Sequence, residues 1–177
     1  MKKALLFFFI CFPTVAFAQT LHFNTYITPP PQHVKFCKNF PNHCIRFGSL
    51  EQIDLNSELV YELHYINSWV NDTIKAKVDP VNNDIWTYPV NGYGDCEDYV
   101  IKKRAHLIEL GWPTSALLMT VVEDPLGRGH AVLTVRTKQG DFILDNMTSE
   151  IKLWNETGYK FYYRQSYLNP KKWISLK

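Results

Sequence analysis

At Gly111-Trp112-Pro113 the hydrophobic period of this chain changes. Before that point, Leu59, Leu63, Ile66 and Val70 recur at helical spacing, and Val60, Trp69 and Ile74 widen the stripe. Asn56-Ser57 offer an N-cap, so the pattern predicts a helix over residues 56–75. A second helix is expected from Cys96 to about Leu110, stopped by Gly111 and then Pro113. Beyond Pro113 the signal is that of strands, over residues 116–122, 130–137, 141–145 and 161–165. Asp124-Pro125-Leu126-Gly127 and Gln139-Gly140 mark the turns between them. Helices first and antiparallel strands after define one α+β domain, expected over residues 49–177.

The N-terminus reads differently. Lys2-Lys3 head an apolar run from Ala4 to Phe12 that is too short to span a bilayer. Pro13 and Ala16-Phe17-Ala18 follow, which is the pattern of a secretory signal peptide over residues 1–18, cleaved before Gln19. The bulky residues before Cys11 argue against a lipid anchor. The formal charge of +2 includes Lys2 and Lys3, so the mature chain is formally neutral. Neutrality gives no electrostatic reason to bind nucleic acid or an anionic membrane. No later segment is long and apolar enough to insert, so an exported, soluble protein is expected, periplasmic in a cell with two membranes.

Cys37, Cys44 and Cys96 remain after cleavage. An odd count in an oxidising compartment suggests one bridge and one thiol. Residues 19–48 are proline-rich without sustained periodicity and are expected to form an irregular arm, stapled by a Cys37–Cys44 disulfide. His33 and His43 lie nearby, so zinc is the alternative, but the spacing is not a usual zinc spacing and export favours the disulfide.

Cys96 is then the unpaired thiol. It follows the Gly92-Tyr93-Gly94 turn and opens a helix, where the dipole favours a thiolate and backbone amides can donate to an oxyanion. His130 heads a strand after Gly129, and Asp145 ends the apolar strand Phe142-Ile143-Leu144. Cys96, His130 and Asp145 therefore read as a thiol triad for acyl transfer. The bland alternatives are a structural cysteine, a surface histidine and a turn-capping aspartate. Register separates them. A hairpin turn centred on Lys138-Gln139 puts Asp145 opposite Val132, diagonal to His130 on the same face; one centred on Gln139-Gly140 moves it toward Thr134. Asp95, Glu97 and Asp98 also carry two readings: Asp95 and Asp98 as a capping box, or all three as oxygen ligands to Ca²⁺. Carboxylates this close raise a thiol pKa unless a cation offsets them. The indole of Trp86 is a further oxyanion candidate, weighed against a core aromatic.

The segments together resemble a known family. Val70-Asn71 and Ile74, Asp84-Ile85-Trp86 and Pro89 precede Gly94-Asp-Cys-Glu-Asp-Tyr99. Lys102, Leu107 and Gly111-Trp112 follow, then Gly129-His-Ala-Val-Leu-Thr134 and Asp141-Phe-Ile-Leu-Asp-Asn146. From about residue 36 to 173 this is similar to the bacterial transglutaminase-like cysteine peptidases, the family that includes the LapG periplasmic proteases. The resemblance implies a papain-like or transglutaminase-like fold, with a catalytic helix packed on an antiparallel sheet. It implies a Cys96 nucleophile, a His130 base and an orienting Asp145, with calcium at Asp95 and Glu97, joined by Asp98. It also implies a protein substrate, in the LapG branch a large surface adhesin, and an inner-membrane regulatory protein that responds to c-di-GMP. Amine transfer from a thioester, as in transglutaminases, and a non-catalytic calcium-stabilised module are the rival readings.

Overall fold

The computed structural model describes residues 20–22, 25–49, 52–80 and 83–176. The expected leader, residues 1–18, lies outside the described residues. No helix among the described residues is long and apolar enough to cross a membrane.

The arm is more ordered than its composition suggests. After a short strand, β1 (Tyr26–Ile27), a helix α1 runs over Pro31–Asn39. Proline at a first helical position needs no N–H partner and has its φ preset, so Pro31 starts the helix that a proline-rich run was expected to prevent. A 3₁₀ turn, Pro41–Cys44, brings Cys44 back to Cys37 with their Cα atoms 5.5 Å apart, and the two form the expected disulfide. With both sulfurs joined, the zinc alternative falls.

The helix α2 occupies Ser57–Thr73, and its Asn56 cap accepts from the Leu59 amide at 2.9 Å. Two short parallel strands, β2 (Lys75–Ala76) and β3 (Tyr93–Gly94), lead into α3 (Cys96–Glu109). Helix α3 ends because Gly111 adopts φ +96°. Its amide then reaches the Ile108 carbonyl and the Trp112 amide reaches Leu107, the paired bonds of a Schellman stop.

The remaining strands are β4 (Leu117–Glu123), β5 (Gly129–Thr137), β6 (Gly140–Leu144), β7 (Lys152–Leu153), β8 (Lys160–Gln165) and β9 (Trp173–Ser175). They form a seven-stranded sheet in the order β1-β9-β8-β4-β5-β6-β7, every neighbouring pair antiparallel. The protein is thus of the expected α+β class. Strands β1, β7 and β9 are two or three residues long, too short for a period-two pattern to show in sequence.

Alternation divides the sheet into two faces. Leu133, Val135 and Leu144 meet Leu63, Ile66 and Val70 of α2 and Tyr99, Val100 and Leu107 of α3 in the main core. Val132, Ile143, Val122 and Phe161 form a smaller core on the other face, closed by Leu21. Leu21 is clamped there. Its amide donates to Asp141 at 2.9 Å, its carbonyl accepts from Arg164 at 3.0 Å, and Arg164 pairs with Asp141 at 2.8 Å, all buried.

His33 of α1 is buried under the sheet with a polar partner at each ring nitrogen. The Trp173 indole donates to Nδ1 at 3.0 Å and the Gln165 amide meets Nε2 at 2.9 Å. The indole N–H needs a lone pair on Nδ1, which an imidazolium lacks. Burial, with a smaller push from Arg104, lowers the His33 pKa to about 4. A lowered pKa favours the folded state above the unfolded value and loses that advantage as acid protonates the unfolded chain first. The His33 contribution to folding stability is therefore expected to fall between about pH 6.5 and pH 4 by on the order of 3 kcal/mol. Urea unfolding of wild type and His33→Gln across that window, read as the difference between the two, checks it.

Candidate active site

Helix α3 begins where strand β5 begins. Cys96 is the first residue of α3, and Asp95 before it has the extended backbone of an N-cap. The Cys96 sulfur meets the Ala131 backbone, the residue after His130. Cys96, Glu97, Gly129 and His130 line one cavity of about 520 Å³. Cys96 is the free cysteine among the described residues.

The approach of His130 is set by the turn before it. Asp124 is buried and accepts from the amides of Leu126 and Arg128, each at 2.9 Å, while its other oxygen takes the Arg128 side chain at 2.7 Å. This closes the β4–β5 turn and delivers Gly129-His130 to the sheet end. On the other side, Thr137 pairs with Gly140, so the hairpin turn centres on Lys138-Gln139. The same register carries Asp145 opposite Val132 and brings it to His130. Nε2 of His130 lies 2.8 Å from Oδ1 of Asp145. Of the two registers legible in the sequence, this is the one that joins them.

Asp145 has further partners. The Tyr159 hydroxyl donates to Oδ2 at 2.5 Å and the Met147 amide to Oδ1 at 3.0 Å. Burial opposes its charge, but the bond and charge of His130, then Tyr159 and Met147, outweigh it and hold the pKa below the usual carboxylate value. An ionised Asp145 accepts the Nε2 proton, which leaves the lone pair of a neutral His130 on Nδ1. The backbone of Asp145 is held from α2. Asn71 donates to the Asp145 carbonyl at 2.9 Å and to Thr148 at 3.2 Å, and Asn67 donates to Thr148 at 3.3 Å and Ser149 at 3.2 Å. Behind the site, Lys103 lies two turns along α3 from Cys96, fully buried, with no hydrogen-bond partner for Nζ among the described residues. Burial pushes its pKa down to about 7, against the pull of Asp145.

The carboxylates around Cys96 divide their work. The thiol donates to Glu97 at 3.0 Å. Burial, then the Glu97 charge and this bond, push the thiol pKa well up, while the Ala131 backbone works the other way. Burial likewise raises Glu97 to about 7. Asp98 faces away from the thiol, accepting from the Thr87 amide at 3.0 Å and reaching back to the Asp95 backbone. That backbone contact is half of the expected capping box; the Asp95 side chain makes no cap. Instead Asp95 joins Asp79 and Asp84, their carboxylate oxygens all within 4.8 Å of one another. Glu97 also meets the Asp95 carboxylate. Of the three residues read as metal ligands, Asp95 and Glu97 are thus brought together, and Asp98 is directed to Thr87. In the sequence Asp79 marked only a turn and Asp84 only a segment of the family resemblance; neither was read as a metal ligand. Trp86 packs in the main core against His33 and Trp173, outside the lining of the Cys96 cavity.

A thiol at a helix start, with a carboxylate-oriented imidazole across a shared cavity, defines a site of the thiol-hydrolase class. The sequence model of the bacterial transglutaminase-like cysteine proteinases matches residues 24–177, and the chain belongs to that family. Among solved structures, LapG of Legionella pneumophila is similar at 30% identity and a TM-score of 0.55, over 60% of this chain and 63% of that one. Its calcium-bound form is similar at 27% identity and a TM-score of 0.59, over 67% of this chain and 70% of that one. Its EGTA-treated form matches at 30% identity and 0.55, over 60% and 62%. The chain thus spans less than two thirds of the first of these relatives. No curated protein sequence matches it. The fold is accordingly transglutaminase-like, as the resemblance implied.

Removing the α2 clamp should be felt at the site's frame. Asn71→Ala leaves the Asp145 and Thr148 carbonyls without this donor and is expected to lower the unfolding free energy by about 1 kcal/mol. Urea denaturation of the purified variant reads the loss.

Proposed function

We propose that this protein is an exported cysteine peptidase that hydrolyses a peptide bond in a protein substrate. The observation that carries the reading is the His130–Asp145 pair, 2.8 Å apart, beside the cavity that also holds the free thiol. His130 takes the Cys96 proton at Nδ1, and the sulfur attacks the peptide carbonyl carbon. The Cys96 N–H stands at the first helical position with no carbonyl to meet within α3, and it faces the developing oxyanion. The imidazolium returns its proton to the leaving amine, and water then hydrolyses the thioester to a carboxylic acid and a thiol. Asp145, fixed by Tyr159 and Met147, holds the imidazole tautomer and stabilises its charged form. Export is supported by the leader-like residues 1–18 and by the Cys37–Cys44 disulfide. The family resemblance adds a large surface adhesin as the class of substrate and an inner-membrane protein as regulator.

Cys96→Ala is expected to abolish cleavage while leaving the circular dichroism spectrum and unfolding midpoint near wild type. Cleavage of surface proteins by that variant at the wild-type rate would sink the reading. Incorporation of a labelled amine into a glutamine peptide, in place of hydrolysis, would move the protein to the amine-transfer class.

Calcium belongs to the same proposal. One Asp95 oxygen is buried without a hydrogen-bond partner among the described residues, and burial, then the charges of Asp95 and Asp79, push the Asp84 pKa up. An all-oxygen set of crowded carboxylates suits a hard divalent cation. Asp79, Asp84 and Asp95 would hold it, with Glu97 at its margin. Bound there, calcium supplies positive charge beside Cys96, which offsets the carboxylates that now disfavour the thiolate. Calorimetric titration with Ca²⁺ is expected to give a saturable heat that Asp95→Asn removes or weakens at least tenfold in affinity. An absence of heat with the wild-type protein would reject the metal.

A further inference from the structure

The short strand β2 has two edges, and only one is used. The amides of Lys75 and Lys77 bond to the carbonyls of Gly92, just before β3, and Gly94, at its end, at 2.8 and 2.9 Å. Along a strand, successive backbone groups point to opposite edges, so Ala76 and Val78 turn their N–H and C=O groups the other way. No described residue hydrogen-bonds to them there. An unpaired strand edge in open solvent is a liability that proteins usually cover or charge. Here residues 75–78 are all exposed, Val78 at 84%. Of the two lysines that flank Ala76, Lys77 is drawn aside, 5.9 Å over the Tyr93 ring. Ala76 and Val78 both line the cavity that contains Cys96 and His130. The stretch is also held in place at its far end, where the Asp79 amide donates to Asp95 at 3.3 Å, next to the nucleophile.

Resting on the peptidase reading, we propose that the outward edge of Ala76 and Val78 is a docking strand for the substrate backbone. A polypeptide in extended form adds to β2 and is carried across Cys96 between this edge and the His130 wall. Recognition is then largely by main-chain hydrogen bonds, as in other cases of strand addition. The substrate class follows: unfolded segments, linkers or long loops of proteins, whose backbone groups are free to pair. Residues inside a helix or in the interior of a sheet have no such groups to offer.

The test reads docking through the thiol itself and needs no knowledge of the natural substrate. Alkylation of Cys96 is followed by mass spectrometry with calcium present, using iodoacetamide and a blocked tripeptide chloromethyl ketone with small side chains. Each rate is divided by that of the same reagent with free cysteine. The peptide reagent is expected to show an advantage of about tenfold or more, the worth of a pair of backbone hydrogen bonds. Ala76→Pro deletes the outward N–H, leaves the Lys75 and Lys77 bonds to β3 in place, and suits a preceding residue already in a strand. It should abolish that advantage while iodoacetamide reacts as with wild type. Methylating the backbone nitrogens of the peptide reagent one at a time gives a second measurement on the unaltered protein, and at least one methyl should cost about the same factor. A peptide advantage that survives both changes, or no advantage at all, overturns the docking edge. Failure of Cys96 to react even with iodoacetamide overturns the peptidase reading itself, and the docking edge with it.

Discussion

The pairing of β5 with β6 is the constraint on which the site depends. Side chains alternate along a strand, so a slip of one residue would send Asp145 to the face opposite His130. The pairing is fixed at the closed end of the hairpin. Thr137 accepts from the Gln139 amide and donates to the Gly140 carbonyl. The open end is fixed from outside, by Asn67 and Asn71 on α2, which grip the chain just after Asp145. A turn at one end and a helix at the other thus hold a single carboxylate within 2.8 Å of one imidazole.

The electrostatics of the cavity pull in two directions. Asp145 prepares the imidazole, while Glu97 and burial keep the thiol protonated. Asp79, Asp84 and Asp95 add carboxylates to the same wall, their oxygens all within 4.8 Å of one another. Such an arrangement is costly for a resting protein and makes sense as half of a binding site. Positive charge at the carboxylates would relieve their repulsion and favour the thiolate in one event. Under the proposed function, that distribution of charge would tie readiness of the Cys96 thiol to occupancy of a neighbouring site.

Much of this was legible in the sequence where periodicity is long. The two main helices and four of the strands follow from apolar spacing, and Gly111 stops α3 as expected. Cys96, His130 and Asp145 stood out as candidates because each stands at an element's edge, where a polar residue breaks the local pattern. The arm was not, because Pro31 either breaks or begins a helix, and only the following turn decides which. Asp79 and Asp84 were not read as neighbours of Asp95 because that proximity depends on a loop folding back onto it. Tyr159 and the α2 asparagines act through contacts between segments far apart in the chain, and no local pattern marks them. Asp98 shows the converse: a residue placed by sequence beside the nucleophile turns to a backbone amide on the opposite side.

The pairing of β1 with β9 has a consequence for the time course of folding. Tyr26 and Ile27 lie against Ile174 and Trp173, so the first and last described strands are neighbours in the sheet. Leu21 is likewise held by Asp141 and Arg164, which lie more than a hundred residues away. Such distant contacts close slowly: the Leu21 clamp waits for Asp141 and Arg164, and the β1 pairing waits for the last described strand. A chain still being synthesised therefore has no partner for its own beginning. The sheet closes only once residues 173–175 are available, an order of events that would suit a chain exported unfolded, as proposed above.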